Sequence, residues 1–583
     1  MIEDKPIVYY SIFMIFGCFE SFLILNRSIA AAMILAVFFL FVMFCSQKCK
    51  FVLIGIVFFL AGCFNYYIYF NMNISKGTVL RVVNVQQYYI TAIYDGRKIT
   101  AETYDNTIKA GDKIFVQGEF KKEPEYEKGI IGRYKISKIV SRKQDYISSM
   151  YIFKEKLYAK LKQFIGDEYA GNVLGAAFGD TSHISSSSKN DMNQLGIVHI
   201  ISVSGMHMAL IYKIFEEIAG FKAAVAISIF YCILTGTTGA TVRSLIMIFI
   251  YKLSKKVYKN YDAICSLAFS SIIIFFIYPY AVLDIGCILS FMAMLGIILY
   301  YETIRKKLVF MPSKLNEYIS LSLSAQIFTL PVIIITFNFV STDFLQGNIF
   351  LVPLYSGIVV LGNLAAIVMN IDLLFKAVCT FININMQLID LIKDVLIKLS
   401  FGGVYLSYID AMSIMVIYIC SKLYKYINRK YLYLPVFMII IYMYYFYSIP
   451  MDIAYIKIAS KRGVILRQGF SSIAVVSNDI DKNKYDILKK KFNVKEVFSI
   501  AANQQLRIKV RNENILVGQK DKELALSIAS YSHSVKINFV KNQSRPYNGY
   551  SYGIIYIPYR DSRNYYDELV DYKAINGKTY RFK

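Results

Sequence analysis

A run of apolar residues between positions 196 and 217 is interrupted by five residues able to do chemistry or break a helix. In chain order they are His199, Ser202, Ser204, Gly205 and His207. Polar and ionisable groups are costly in lipid unless they find partners, so such a cluster faces the interior of a helix bundle or a water-filled path. Ser204 and His207 share one helical face, whereas His199 lies about 80° away around the helix. Gly205 favours a break, which is tolerated where the backbone lines a cavity.

Three interpretations of this cluster remain open at the level of the residues. In the first, the histidine side chains are hydrogen-bonded inside a helix bundle and have a structural role. In the second, they line a conduction path. A membrane hydrolase, with Ser204 as nucleophile and His207 as base, is the third. Ser204 does not stand in the Gly-x-Ser-x-Gly elbow that presents such a serine, which argues against the hydrolase.

The composition indicates a polytopic α-helical membrane protein of about 11 to 13 spans. Of the 583 residues, 56% are hydrophobic, and the net charge is +25. That charge implies loops and domains that meet anionic lipid, nucleic acid or another polyanion. The nine cysteines lie in or beside apolar runs, so no disulfide framework is expected in the soluble regions.

The first half of the chain divides into membrane spans, a barrel and an interfacial region. Residues 1–74 hold three spans, at about 7 to 25, 28 to 45 and 51 to 70. Residues 75–145 contain five short alternating strands, which suit a small OB-like β-barrel. Such barrels bind single strands by base stacking and phosphate contacts, for which the predicted residues are Tyr88, Lys98, Arg133 and Lys135. A charged, solvated sheet face explains the same residues equally well.

Residues 146–190 are predicted to form a basic amphipathic helix at the membrane interface (147–165) and a polar loop (179–189). Residues 191–450 then carry about ten apolar segments, near 195–217, 220–236, 239–253, 262–279, 281–301, 316–337, 345–370, 373–395, 410–427 and 431–449. The run 373–395 contains Lys376, Asp390, Lys393 and Asp394, so it spans, lies on the surface or lines a lumen.

Two charged residues within this region add to the predicted path. Arg243 follows a flexible, small-residue segment and enters an apolar helix. A guanidinium offers a fork of donors that matches phosphate, although it also snorkels or pairs with a carboxylate such as Asp284. Asp284 stands at a predicted turn, where it has a second interpretation as a helix cap.

Basic loops set the predicted orientation, because Lys and Arg are retained on the cytoplasmic side. Four clusters are satisfied by one alternating topology: Lys48 and Lys50; Lys252, Lys255, Lys256 and Lys259; Arg305, Lys306 and Lys307; and Lys422, Lys425, Arg429 and Lys430. This topology places the N-terminus inside, and both the barrel and the C-terminal region outside.

Residues 451–583 are predicted to form a small extracytoplasmic α/β domain. Its expected strands are 454–458, 463–466, 473–476, 535–539 and 554–557, and its expected helices are 484–492 and 522–530. The only histidine in this region is His533, which excludes a multi-histidine metal site. No cofactor or metal is predicted.

With these residues in place, the chain resembles the ComEC-type competence proteins, inner-membrane channels that internalise transforming DNA. The shared pattern is Gly-x-x-His-x-x-x-x-Ser-Gly-x-His, and the matching residues are Gly179, Asp180, Gly196, His199, Ser204, Gly205, His207, Gly236, Gly239, Arg243, Asp262, Ser266, Asp284, Gly286, Leu289, Ser290, Phe291, Ala325, Pro331, Asn348 and Pro353. Many relatives end in a metallo-β-lactamase-like domain. This chain lacks its His-x-His-x-Asp-His run, so residues 451–583 read as a degenerate form and nuclease activity is not expected.

The resemblance implies a channel for single-stranded DNA in the bacterial cytoplasmic membrane, rather than an enzyme. It also implies an outer DNA receptor and a cytoplasmic helicase-like ATPase as partners, besides membrane lipid. The chain has no Gly-x-x-x-x-Gly-Lys-Ser/Thr phosphate loop of its own. The alternative is a secondary transporter of a smaller anion that uses Arg243 and the broken helix as its binding site.

Overall fold

The computed structural model describes most of the chain up to residue 426 and the strands of its C-terminal part. The described residues are 5–44, 49–86, 89–103, 105, 107–201, 203–400, 402–426, 439–440, 442–443, 451–458, 461–468, 471–477, 485, 489, 494–501, 504–510, 513–520, 523–530, 533–540, 554–558, 566–575 and 578–581. They form two units. The first unit comprises Met1–Thr329 and Ser341–Gly402, and the second comprises Leu330–Val340 and Gly403–Lys583.

Three helices begin the first unit, within one to two residues of the predicted spans where the bounds are described. They are α1 (Pro6–Leu25), α2 (Ile29–Phe44) and α3 (Cys49–Phe70). Glycine allows α1 and α3 to pack closely, because a Cβ at Gly17 would lie 2.0 Å from the Phe59 carbonyl oxygen and one at Gly62 2.3 Å from that of Met14. Small residues at such crossings are typical of helices packed in lipid.

A closed five-stranded barrel follows, which confirms the small barrel predicted from the alternating sequence. Its strands are β1 (Gly77–Val85), β2 (Tyr89–Tyr94), β3 (Arg97–Glu102), β4 (Lys113–Lys121) and β5 (Ile130–Lys143), in the order β1-β2-β3-β5-β4. β3 and β5 run parallel, and the other neighbours run antiparallel. Alternate residues fill the interior, including the fully buried Leu80, Ile90, Ile99, Ile114 and Tyr134.

An ion pair fixes the barrel to the next helix, α4 (Tyr146–Ile165). Arg81 of β1 holds Asp145 in a two-point contact, with 2.8 Å between Nη1 and Oδ1. The same carboxylate caps α4 by accepting the N–H groups of Ile147 and Ser148. Arg81 and these N–H donors hold the pKa of Asp145 well below its usual range, although partial burial acts against them.

Two shorter helices complete the region before the bundle, α5 (Asp167–Phe178) and α6 (Ser186–Gln194). The predicted polar loop 179–189 is therefore wrong at its end, since its last four residues are helical. The reason is local: the Ser185 hydroxyl accepts the N–H of Ser188 and starts α6 within the serine-rich stretch.

The remaining helices begin after a 3-10 helix at Val198–Ile200. They are α7 (Gly205–Leu234), α8 (Gly239–Lys256), α9 (Ala263–Ile277), α10 (Ile285–Lys307), α11 (Ser313–Phe337), α12 (Phe344–Val368), α13 (Asp372–Lys398) and α14 (Tyr408–Tyr426). Another 3-10 helix, Pro279–Val282, precedes α10. The predicted segments 195–217 and 220–236 are the two arms of α7, which starts only at Gly205 and bends at Gly220, where φ is 77°.

Within the described residues, seven helices are long and apolar enough to cross a membrane: α1, α3, α7, α10, α11, α12 and α13. Three more apolar helices, α2, α9 and the part of α14 up to Cys420, are shorter. The count of about 11 to 13 spans stays a prediction, because most of the segment 431–449 lies outside the described residues. In α13, the charge of Lys393 is satisfied by Asp390 at 2.9 Å and by Asp191 at 3.6 Å.

The C-terminal part of the second unit is richer in strands than predicted. A six-stranded sheet has the order β11-β10-β9-β8-β17-β18, and a five-stranded sheet has the order β12-β13-β14-β15-β16. Counting from the short strands β6 (Phe339–Ser341) and β7 (Gly403–Tyr405), the bounds are β8 (Met451–Ile458), β9 (Lys461–Gln468), β10 (Ser471–Ser477), β11 (Glu496–Ile500), β12 (Gln505–Val510), β13 (Glu513–Lys520), β14 (Glu523–Ser530), β15 (His533–Val540), β16 (Ile554–Pro558), β17 (Tyr566–Ile575) and β18 (Lys578–Arg581).

The predicted helix at 522–530 is wrong, because residues 523–530 form β14 and pair antiparallel with β13 and β15. Its sequence alternates larger apolar residues with small ones, which is the two-residue period of a strand. Leu524, Leu526 and Ile528 alternate with Ala525, Ser527 and Ala529. Most of the predicted helix 484–492 lies outside the described residues.

Candidate conduction site in the helix bundle

His207 lies in the first turn of α7 and is fully buried. Ser204 stands at the N-cap with an extended backbone, and its N–H donates to His207 Nδ1 at 2.9 Å. This contact satisfies one of the N–H groups that a helix start leaves without a partner. The three-residue spacing of Ser204 and His207 is therefore a local device that folds the histidine ring back over the helix start.

The same contact determines which ring nitrogen of neutral His207 carries the proton. Because Nδ1 accepts a hydrogen bond, the proton is assigned to Nε2, which then acts as a donor. Nε2 is buried and has no hydrogen-bond partner among the described residues. A buried donor without a partner is uncommon, so His207 presents an N–H group that a ligand or water could satisfy.

Arg243 of α8 is 7% exposed and is held by neutral groups. Its Nε donates to the Ser290 hydroxyl at 3.0 Å, and Nη2 donates to the Ser244 hydroxyl at 3.2 Å. Nη1 approaches the Met247 sulfur at 3.5 Å. No carboxylate pairs with Arg243 in the part of the chain that the structure describes. A buried guanidinium without a counter-ion is costly, so the site is suited to an anion.

Gly205 brings the start of α7 directly against Arg243. A Cβ at Gly205 would lie 2.8 Å from the Ser244 hydroxyl oxygen and 3.1 Å from Arg243 Nη2. The polar cluster near residue 204 and the buried arginine of α8, which are about forty residues apart in sequence, therefore meet in one place.

The two remaining members of the sequence cluster are placed differently. His199 lies in the 3-10 helix with its side chain exposed, and it is within electrostatic range of His207. Ser202 lies outside the described residues.

Asp284 caps α10 by accepting the Cys287 N–H at 2.8 Å, which is the second of its two sequence interpretations. It makes no ion pair with Arg243 among the described contacts. Instead, Asp284 interacts electrostatically with Lys98 of the barrel. Asp284 therefore lies near the junction of barrel and bundle, apart from the guanidinium contacts of Arg243.

Lys98, one of the residues predicted to contact DNA, lies at this junction and not on a free barrel face. Its Nζ lies 4.6 Å from the centre of the Tyr280 ring, and its backbone N–H donates to the Tyr69 hydroxyl at 3.2 Å. Burial lowers the pKa of Lys98, and the nearby Asp284 acts in the opposite direction. Lys98 thus helps to dock the barrel onto α3 and the 3-10 helix that contains Tyr280.

The other predicted barrel residues are more open to solvent. Arg133 is half-buried between Glu102 at 3.5 Å and Glu123 at 3.7 Å, with its guanidinium 5.8 Å from the Tyr89 ring. Lys135, two residues further along β5, is exposed. Tyr88 lies outside the described residues.

Sequence reasoning gave no role to Ser244 and Ser290, which hold the guanidinium, or to Tyr69 and Tyr280, which hold the barrel. The signal for Ser290 was a lone hydroxyl in the apolar start of α10. The signal for Tyr280 was weaker, because aromatic residues are abundant throughout the chain. Within the described residues there is no group of three or more His, Cys, Asp or Glu side chains that could hold a metal ion.

Comparison with known proteins finds matches over this same region. The sequence profile of a family described as Competence protein matches residues 177–427. ComE operon protein 3 of Bacillus subtilis (strain 168) is 23% identical over 233 residues, which cover 37% of this chain and 30% of that protein. An uncharacterized protein of Aquifex aeolicus (strain VF5) is 24% identical over 281 residues, which cover 44% of this chain and 65% of that protein. No solved structure matches the chain significantly.

The matched region contains the whole site, from His199 through Arg243 to Asp284. Over residues 177–427 the chain is thus similar to competence proteins, the resemblance that the spaced Ser-Gly-x-His pattern predicted. Together with the long apolar helices, the matches support a multi-pass protein of the inner membrane. The chain spans 30% and 65% of the length of these two curated relatives.

Proposed function

We propose that the chain is a channel that translocates single-stranded transforming DNA across the cytoplasmic membrane during natural competence. The observation that carries this proposal is the buried Arg243, which is held only by neutral groups in the described residues and lies against Gly205 at the start of α7. A passing phosphodiester would supply the anion that this guanidinium lacks.

The donor geometry supports transient binding of phosphate. A guanidinium has five N–H donors, and Arg243 uses three of them on Ser290, Ser244 and Met247. Two donors and the Nε2–H of His207 remain for a ligand. A conduction site must bind strongly enough to admit the anion and weakly enough to release it, and neutral hydroxyl partners meet that need better than a fixed carboxylate would.

Charge outside the bundle supports steering of DNA toward this site. In the proposed topology the N-terminus lies inside, and the OB-like barrel (75–145) and the degenerate C-terminal domain (451–583) lie outside. Lys135 of the barrel is exposed, and Arg133, beside the Tyr89 ring, would exchange its contacts with Glu102 and Glu123 for phosphate. One strand of DNA would then pass from the barrel to the polar cluster of His199, Ser204 and His207, and on past Arg243.

Partners supply what the chain lacks in this proposal. A separate outer receptor would deliver the DNA, and a cytoplasmic helicase-like ATPase would draw the strand inward, since the sequence holds no Gly-x-x-x-x-Gly-Lys-Ser/Thr phosphate loop. The chain would act as a channel and not as a nuclease.

Uptake of labelled DNA by a competent strain that lacks the gene tests the proposal. Complementation with the wild-type chain should restore internalised, nuclease-resistant label, and complementation with Arg243→Gln should not. A secondary transporter of a smaller anion would behave differently: deletion would leave DNA uptake unchanged and would abolish accumulation of the small anion instead.

A further inference from the structure

Helix α8 ends in a basic and aromatic surface that the proposed path past Arg243 does not use. We define the α8 C-terminal surface as Tyr251, Lys252, Lys255, Lys256, Tyr258 and Lys259. By the distribution of basic loops it lies on the cytoplasmic side. Its residues are half-buried or exposed, and Tyr258 is 96% exposed.

Tyr258 has a backbone conformation that a side chain makes costly. Its φ is 53°, in the left-handed region, and it directly follows the C-cap residue Val257. The Tyr258 N–H donates to the Lys255 carbonyl at 3.3 Å and the Lys259 N–H to that of Ser254 at 2.9 Å, which together form a Schellman motif. Glycine is the usual residue at this position, because it has no Cβ to strain.

The Schellman hydrogen bonds need only the backbone, so the Tyr258 side chain itself adds nothing to them. The Tyr258 ring makes no ring contact or hydrogen bond within the described residues. Residues held in sparsely populated backbone conformations cluster at functional sites. The observation is therefore an aromatic ring held outward at a place where glycine would be more stable.

The charge around this ring is positive and largely uncompensated. Lys252 pairs with Glu216, whereas Lys255, Lys256 and Lys259 make no ion pair within the described residues. The Nζ of Lys255 lies 4.5 Å from the centre of the Tyr251 ring. Lysines beside aromatic rings are the combination that binds single-stranded nucleic acid, by phosphate contacts and base stacking.

This surface connects to Arg243 through Tyr261. The Tyr261 ring packs against that of Tyr251 with 5.1 Å between centroids, and Tyr261 is within electrostatic range of Arg243. Along α8, the distance from Arg243 to Lys256 is about 20 Å at a helical rise of ~1.5 Å per residue. The two tyrosines thus link the surroundings of the buried guanidinium to the basic end of the helix.

We propose that the α8 C-terminal surface binds single-stranded nucleic acid, with one base stacked on Tyr258 and phosphates neutralised by Lys255, Lys256 and Lys259. This proposal rests on the proposed function, in which the surface would receive the strand after it passes Arg243. Lysine and tyrosine also suit an anionic lipid surface, so the experiment must distinguish the two ligands.

The test measures binding of labelled oligo(dT), about 20 nucleotides long to exceed one site of ~4–16 nucleotides, to the full chain in phosphatidylcholine nanodiscs. Tyr258→Gly removes the ring and relieves the backbone strain. It should weaken the affinity about tenfold, as loss of one stacked base does, while the unfolding temperature stays equal or rises. Tyr258→Phe should keep the affinity, and Tyr408→Ala, at a tyrosine that is 60% exposed elsewhere in the chain, should leave it unchanged.

A triple variant, Lys255→Ala with Lys256→Ala and Lys259→Ala, should reduce the slope of log affinity against log salt by about 2, because each single-strand phosphate contact contributes ~0.7. Wild-type oligo(dT) affinity in both Tyr258→Gly and the triple variant would overturn the proposal. The proposal would also be overturned if these variants lost only their association with phosphatidylglycerol and kept their affinity for oligo(dT), since the surface would then be a lipid contact.

The two proposals fail in different ways. Oligo(dT) binding that depends on Tyr258, in a chain that restores no DNA uptake to cells, would refute the channel and leave this surface standing. Normal DNA uptake in cells, with oligo(dT) binding insensitive to Tyr258, would refute the surface and leave the channel standing.

Discussion

Gly205 and Arg243 are in contact across the start of α7 and the first half of α8. A single methyl group on Gly205 would stand 3.1 Å from Arg243 Nη2 and 2.8 Å from the Ser244 hydroxyl that the guanidinium binds. The absence of a side chain at Gly205 is what lets a buried charge lie beside the cap of α7. This contact joins the two parts of the candidate site, and it can be tested by one substitution.

Gly205→Ala should displace the guanidinium and its serine partner. Overpacking of this kind typically costs ~1–3 kcal/mol. We expect internalised DNA to fall at least tenfold while the chain remains in the membrane fraction, as measured by labelled-DNA uptake and immunoblotting. Gly77→Ala is the matched control, because its new methyl group would meet only the edge of Phe115 at 3.5 Å. Equal uptake in both variants would show that the Gly205 contact is dispensable.

Arg243→Lys should retain part of the DNA uptake, and Arg243→Gln should nearly abolish it without lowering membrane abundance. Lysine preserves the charge but loses the fork of donors that matches phosphate, whereas glutamine loses the charge. The measurement is uptake normalised to the amount of folded protein. If Arg243 is structural instead, both variants should lose folded protein in proportion to uptake, because the hydroxyls of Ser244 and Ser290 would be left without their donor.

His207→Ala separates a histidine that lines the path from one that only packs the core. If the free Nε2–H contacts the strand, uptake should fall while the protein stays inserted, with the loss shared by His207→Phe, which fills the same space. If the ring only fills space, abundance should fall first in His207→Ala and be recovered in His207→Phe. Normal uptake in both His207→Ala and Arg243→Gln cells would refute the proposed route.

The barrel should contribute to DNA binding in a salt-dependent manner. Replacing Arg133 and Lys135 together with alanine should lower the slope of log affinity against log salt by about 1.4, at ~0.7 per single-strand phosphate contact. Binding of oligo(dT) to the full chain between about 50 and 200 mM salt provides the measurement. An unchanged slope would show that these residues belong to a solvated sheet face, the alternative left open by the sequence.

The Arg81–Asp145 ion pair should make the contact between barrel and α4 sensitive to acid. Because the folded-state pKa of Asp145 is depressed, its stabilising contribution is present above about pH 4, the unfolded value being ~3.9. It is lost as the pH falls through the folded-state value. The chain contains no Trp, so Tyr151→Trp, beside Gly111 of the barrel, gives a single fluorescence reporter.

In this reporter background, the fluorescence should be constant from about pH 7 to 4 and should change only well below pH 4, as the pH approaches the depressed folded-state pKa of Asp145. Asp145→Asn keeps a helix cap but removes the charge, and it should separate α4 from the barrel at a lower denaturant concentration at neutral pH. A denaturation midpoint equal to that of the unmodified reporter chain would contradict a stabilising role for the pair.

The local elements of this protein were largely predictable because their signals are periodic. Helices α1, α2 and α3 needed only apolar runs of sufficient length, and the barrel strands needed only the two-residue alternation that places Leu80, Ile90 and Ile99 inside. The prediction was wrong where the helical and the two-residue strand periods fit the same sequence. The stretch 523–530 was assigned to a helix, but it pairs with strands on both sides and forms β14.

For the candidate site, the sequence determined which groups are present, and the tertiary structure decided which of them are in contact. The sequence by itself determined that His199, Ser204, Gly205 and His207 form a polar interruption of an apolar segment, since that is a matter of residue types and spacing. It also determined that Arg243 follows a small-residue segment and precedes an apolar run. Only the tertiary structure decided which of these groups meet, because contacts between α7, α8 and α10 depend on helix packing, and side-chain spacing along one helix carries no information about it.

Three outcomes illustrate this limit. Asp284 was a candidate partner for Arg243, but in the fold it caps α10 and faces Lys98. Lys98 was a candidate DNA contact, but the docking of the barrel covers it with Tyr280. Arg243 received Ser244 and Ser290 in place of a carboxylate, and no periodicity in the sequence could have indicated that choice. Residue types determined the chemistry that is available, and packing between elements distant in sequence decided which groups can act together.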